Sequence, residues 1–200
     1  MTTYGRAKPT YHHGYLSGTI LLAASELLEE QGVEGLRMRE LARRVKVSHN
    51  APYRHFPDRG SLLAALAADG FAQLGRAQQE ARTGGGLKGM GEAYMRFALA
   101  QPQRFRLMFG GMVRIAAYPA LREVATKVLD GLSSALSGEV AEAAGARDAS
   151  IAAWAMVHGL ANLMLDDKIS AAAKQGRDDA TFARDVLATL RFAARPAQFT

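Results

Sequence analysis

Histidines, paired carboxylates and clustered cations are the residue types in this chain from which chemistry could be built. The five histidines (His12, His13, His49, His55 and His158) form no HExxH pair, and no phosphate-cradling glycine loop or serine elbow occurs. Asp166 and Asp167 are adjacent, so on a helix their carboxylates point in different directions; the pair reads as a helix end rather than an acid/base couple. The chain has no cysteine, which excludes a thiol nucleophile, a thiolate zinc site and a disulfide framework, and suits a reducing cytoplasm. No catalytic residue, metal or cofactor is expected. The cations remain. Arg37, Arg39, Arg43, Arg44, Lys46, Arg54 and Arg59 lie within 23 residues and are opposed only by Glu40 and Asp58, a net of +5 in a chain whose total is +6. Such a stretch is either a solvated basic face or a polyanion site, and charge alone does not choose.

The elements that must present this cluster are helices. No segment shows the period-2 alternation of a half-buried strand, whereas helical spacing recurs throughout. Leu16, Ile20, Ala23, Ala24, Leu27 and Leu28 form one stripe, closed by Gln31-Gly32. Leu41, Ala42 and Val45 mark a short second helix, Val47-Ser48 a turn, and a third short helix runs to about Phe56 before Pro57-Asp58 breaks the chain. A longer helix spans Ser61 to Arg82 and ends in Gly84-Gly85-Gly86. Further stripes follow: Met90, Tyr94, Phe97 and Ala98; an aromatic segment from Phe105 to Phe109; and a helix opened by Pro119 with Leu121, Val124, Ala125, Val128 and Leu132 inward. A long apolar helix is expected from Asp148 to about Lys174, and a last one carrying Phe182, Val186, Leu190 and Ala193. The expected fold is all-α, with about nine helices. The longest apolar run, Ile151 to Leu165, contains His158 and Asn162 and falls short of a membrane span.

Three short helices followed by a longer one, with cations on the second and third, is the organisation of a helix-turn-helix. A recognition helix must turn polar and basic side chains outward while apolar ones grip the domain. His49, Asn50, Tyr53, Arg54 and His55 supply the polar face; Leu41, Ala42, Val45, Val47 and Phe56 supply the grip. The run LRMRELARRVKVSHNAPYRHFPDRGSLLAAL, residues 36 to 66, resembles the DNA-binding domain of the tetracycline-repressor (TetR/AcrR) family. Leu41-Ala42, Val47-Ser48, Tyr53-Arg54-His55-Phe56 and Asp58-Arg59 match its pattern, as do Tyr11-His12-His13-Gly14-Tyr15-Leu16 and Gln31-Gly32. The resemblance implies that Arg39 approaches a base edge or phosphate, and that Ser48, His49, Asn50 and Ala51 open the recognition helix toward the major groove. It implies that Tyr53, His55 and Arg59 hold phosphates. Arg43 and Arg44 fit a solvated face as well as a DNA contact. Two residues depart from the pattern: Arg37 stands where a capping Ser or Thr is usual, and Pro52 lies inside the recognition helix without an N–H to donate.

Beyond the first domain, Phe105-Arg106-Leu107-Met108-Phe109 and Trp154-x3-His158-Gly159-Leu160-Ala161 resemble a subgroup of that family named for a Trp-His-Gly signature. The implied organisation is a flexible basic arm (residues 1–10), a helix-turn-helix domain (11–60) and a C-terminal effector-binding and dimerisation domain (61–200). Met95, Phe105, Met108, Phe109, Met112, Trp154 and His158 are candidates to line a cavity for a small apolar ligand, although a filled core uses the same types. Ala155, Gly159 and Asn162, with Phe182, Val186 and Leu190, are the candidate dimer stripe. The implied function is a cytoplasmic, homodimeric repressor that binds a palindromic operator in double-stranded DNA and is released by ligand. The rivals are an enzyme, a non-specific architectural DNA binder and a helical ligand-binding protein with weakened DNA binding; Pro52 favours the last.

Overall fold

The computed structural model describes residues 13–137 and 143–189 and contains, among them, eight α-helices, two short 3-10 helices and no strand. The chain divides into two compact units, 1–66 and 67–200. Of the sequence-stretch expectations, the basic arm, Tyr11, His12, Leu190 and Ala193 lie outside the described residues.

The first unit contains α1 (His13–Gly35), α2 (Met38–Arg44), a 3-10 turn (Pro52–Arg54) and the opening of α3 (Arg59–Ala100). Ile20, Ala24, Leu27 and Leu28 on α1 are fully buried, together with Leu36, Leu41, Leu62 and Leu66. The expected stop in α1 is a kink at Gly32, whose φ of 68° is open to glycine without strain. At the end of α2 the Val47 N–H donates to the Ala42 carbonyl and the Lys46 N–H to that of Arg43, the double bond pattern of a Schellman cap. Its left-handed residue is Lys46, at φ 56°, where glycine is the usual occupant. A reciprocal box opens α3: the Ser61 N–H donates to Asp58 Oδ1 at 2.6 Å and the Asp58 N–H to Ser61 Oγ at 3.2 Å. Arg37 precedes α2 with no side-chain cap, as its residue type requires.

The second unit contains the rest of α3, kinked at Gly86 (φ 55°) where the glycine run was expected to end the helix, then α4 (Pro102–Phe109), a 3-10 turn (Ile115–Ala117) and α5 (Pro119–Leu136). Pro119 sits in the first turn of α5 as expected. The helices α6 (Ala143–Leu165), α7 (Ala171–Lys174) and α8 (Asp179–Ala188) follow. The single helix expected over 148–174 is therefore two. Asp167 adopts φ 56°, Lys168 N–H donates to the Leu163 carbonyl, and α6 stops there; Ser170 Oγ then accepts from the Ala173 N–H to start α7. From α4, Arg106 donates to the Leu165 carbonyl at 2.8 Å and to Asp166 at 2.7 Å, closing the C-terminus of α6 with a cation where the helix dipole favours one. A second arginine of α4, Arg104, is buried and pairs with Asp69 of α3 at 2.5 Å; Gln73 also donates to that carboxylate at 2.8 Å.

Candidate functional site

The recognition segment differs in one respect from the expected α-helix. Pro52 has no N–H to give the Ser48 carbonyl, which instead accepts from Ala51 at 2.9 Å. The segment is a turn over 49–51 and a 3-10 turn with Pro52 at its start; the Phe56 N–H closes onto the Pro52 carbonyl at 2.9 Å. Pro52 and Phe56 are buried and the turn packs on α2, so the apolar grip is kept. Outward, Ser48, His49, Asn50, Tyr53 and Arg54 are exposed, while Ala51 and His55 are half-buried. The His49 and Tyr53 rings meet edge to face with centroids 6.3 Å apart, which ties the two ends of the exposed face together.

The seven cations divide sharply. Arg44 makes a bidentate pair with Glu30 on α1, at 2.6 and 2.7 Å, and lies 3.5 Å from Glu26. Arg43 forms a similar fork with Glu40, one turn away. These bonds hold the Glu30 and Glu40 carboxyls below their ordinary range. Arg59, expected at a phosphate, is half-buried and donates through Nε to the Leu36 carbonyl at 3.0 Å and through Nη2 to that of Val33, satisfying carbonyls at the end of α1. Arg37, Arg39, Lys46 and Arg54 are exposed and make no ion pair among the described residues. Sequence composition could not separate these two sets, since the partners of Arg44 and Arg59 lie 14 to 26 residues away.

In the second unit an apolar cleft of about 150 Å³ opens between α3, α5 and α6 and the end of α4. Phe71, Tyr94, Phe109 and Trp154 supply aromatic wall, and Gln78 is a polar group in it. Of the seven residues expected to line a cavity, Phe109 and Trp154 line this cleft, and Met95, 2% exposed, borders a separate groove between α3 and α8. Phe105 and Met108 are 1% and 3% exposed and belong to the packed core, whereas Met112 is 49% exposed and outside the cleft. His158 stands behind the wall. The Tyr94 hydroxyl shares a hydrogen bond with His158 Nδ1 at 2.8 Å and accepts from Trp154 Nε1 at 3.3 Å. The Phe105 and Phe109 rings pack 5.4 and 4.9 Å from the imidazole. Burial holds the His158 pKa below its ordinary value and pushes that of Tyr94 up, which keeps both groups neutral. Tyr94 and Gln78 were missed from sequence; a tyrosine and a glutamine on inward helix positions give no signal until the facing helices are known.

The candidate dimer stripe is dispersed. Ala155 is exposed and Gly159 half-buried; Asn162 turns its amide back to the His158 carbonyl at 2.9 Å, and Phe182 is buried within the subunit. Val186 is half-buried. The large apolar side chains that α6 leaves exposed are Ile151, Met156 and Leu163, at 46%, 46% and 48%.

A helix-turn-helix head followed by an all-helical unit with an aromatic cleft defines the class of protein. Comparison with known sequences and structures gives the family. Residues 20–66 match the model described as "Bacterial regulatory proteins, tetR family", and residues 87–190 match "Tetracyclin repressor-like, C-terminal domain". The latter names the family's C-terminal domain rather than a Trp-His-Gly subgroup. The class G tetracycline repressor protein of Vibrio anguillarum is 47% identical over 49 residues, 24% of this chain and 23% of that protein. The chain thus matches about a quarter of that curated relative's length. A structure of a protein with unknown function from Rhodococcus sp. RHA1 is 31% identical, with a TM-score of 0.72 over 91% of this chain and 96% of that one. A tetracycline-repressor variant from Acinetobacter baumannii AYE, solved in complex with minocycline, is 26% identical, with a TM-score of 0.59 over 85% and 92%. The chain belongs to the tetR family of bacterial regulatory proteins.

Proposed function

We propose that this protein is a homodimeric transcriptional regulator that binds a palindromic operator and releases it when a small molecule enters the cleft of the second unit. The exposed face from Ser48 to Arg54 carries the reading, because its polar side chains stand beside cations that make no ion pair among the described residues, while Pro52 and Phe56 anchor it from behind. Asn50 and Arg39 read base edges; Arg37, Lys46, Arg54 and Tyr53 hold phosphates. Arg59 serves the head from within, by fixing the end of α1. The exposed apolar residues of α6, with Ala155 and Gly159 beside them, meet a second copy, which sets two heads on one duplex. No helix among the described residues is long and apolar enough to cross a membrane, and operator binding places the protein in the cytoplasm. The reading requires no catalytic group.

The test is a fluorescence-anisotropy titration of DNA from the gene's own upstream region against scrambled DNA at physiological salt. Preference of about a thousandfold or more supports the reading; equal and weak binding to both refutes it. A second reading, a helical ligand-binding protein with weakened DNA binding, is favoured by the 3-10 geometry that Pro52 imposes on the recognition segment. Ligand binding without operator preference would select it.

A further inference from the structure

The effector-cleft reading can be carried to a chemical class, because the polar groups around the cleft are few and unequal. Gln78 is 7% exposed, lines the cleft, and makes no side-chain hydrogen bond among the described residues. A second groove, of about 340 Å³, shares Phe71, Gln78 and Val128 with the cleft and continues it between α3 and α5 toward solvent. Arg76 and Lys127 line this outer groove. Lys127 is paired with Glu123 at 2.6 Å, whereas Arg76 is exposed and makes no ion pair among the described residues. Among the described residues no carboxylate lines either space. The Tyr94 hydroxyl is engaged with His158 and Trp154, which leaves the Gln78 amide as the hydrogen-bonding group turned toward an occupant.

On this basis, and resting on the proposed effector site, we infer that the ligand is an aromatic carboxylic acid. Its ring lies against Trp154, Phe109 and Tyr94, Gln78 hydrogen-bonds to it where the two spaces join, and its carboxylate points outward to Arg76. A cationic aromatic is disfavoured, since it would leave water for a cleft with no anion to meet it and pass a free guanidinium on the way.

Trp154 is the only tryptophan of the chain, so its emission reports occupancy directly in the full-length protein. The probes are 4-butylbenzoate, 4-butylbenzamide and 4-butylbenzylamine, equal in shape and anionic, neutral and cationic in turn. The benzoate is expected to bind about tenfold tighter than the amide, and the ammonium to bind weakest. Gln78→Leu should weaken benzoate and amide alike by about tenfold while leaving the fold intact, because leucine keeps the apolar stem and removes an amide that bonds to no described side chain. Arg76→Gln should abolish the advantage of benzoate over amide and leave the amide unchanged. An ammonium that binds as tightly as the benzoate, affinities unmoved by Gln78→Leu, or a Trp154 signal silent to all three probes overturns the inference. Operator preference in a protein with that silent signal leaves the regulator standing and removes the ligand class. Probe binding without operator preference does the reverse.

Discussion

The division of the basic stretch into engaged and free cations makes a quantitative prediction about salt. Each phosphate neutralised by a side chain releases condensed counterions, and the slope of log affinity against log salt is about −0.9 per contact. The three cations assigned to phosphates, Arg37, Lys46 and Arg54, on each of two heads give six contacts, a slope of about −5, and a loss of about three orders of magnitude in affinity between 50 and 200 mM salt. Arg54→Gln removes one contact per head and should make the slope shallower by about 1.8. Arg44 should behave differently, since its guanidinium is already forked onto Glu30. The double variant Arg44→Gln with Glu30→Gln keeps the net charge and should leave the slope within error of the parent. Arg59→Gln likewise should leave the slope, yet cost about 2 kcal/mol of stability through the lost charge-assisted bonds to Val33 and Leu36. The assay is anisotropy on a duplex of arbitrary sequence across that salt range, with urea unfolding alongside. A slope moved as much by the Arg44/Glu30 pair as by Arg54, or unmoved by Arg54→Gln, refutes the assignment.

Other consequences can be checked on the folded protein alone. Lys46→Gly should stabilise the chain by about 1 kcal/mol in urea unfolding, because Lys46 holds the left-handed cap position that glycine occupies without a side-chain clash. Tyr94→Phe should cost about 1–2 kcal/mol and shift Trp154 emission, since it strands both Trp154 Nε1 and His158 Nδ1. His158 is held neutral by burial, so the unfolded chain binds its proton more readily and stability should fall as pH drops below about 6.5. His158→Gln should flatten that fall in a pH series of unfolding midpoints, and an unchanged slope would exclude His158 as its source. Gly70→Ala should destabilise by about 1–3 kcal/mol, because a Cβ there would sit 2.6 Å from Met108 Sδ and 3.1 Å from the buried Arg104 chain.

How much of this was legible in the sequence depends on whether the cause was local. Gly32, Gly86 and Pro119 are each fixed by what one residue can or cannot do to its own backbone, and each lies where its residue type places it. Pro52 was also locally legible, since its missing N–H replaces the expected recognition helix with a 3-10 turn. The cleft was legible only in part. Phe109 and Trp154 were found as large apolar residues suited to a cavity wall, but so were Phe105 and Met108, and only the packing of facing helices separates wall from core. The split of α6 from α7 was missed because apolar spacing continues through 166–170 weakly enough to be bridged, while the decisive signals, a left-handed Asp167 and a capping Ser170, are side-chain and backbone geometry.

The same locality governs the charges, and it changes what a basic stretch means. Counting residues gave seven cations against two anions, as though one patch faced one polyanion. In the folded head, Arg44 is turned onto α1 and Arg59 onto the carbonyls that end it, so these cations position the head. Removing either would disturb DNA binding through the fold, which a single alanine scan would misread as a lost phosphate contact. Arg37, Arg39, Lys46 and Arg54 are the ones left for a partner. The count of cations therefore overstates the number left for DNA by nearly a factor of two. The salt slope, which counts contacts rather than charges, is the quantity that separates the two kinds of arginine.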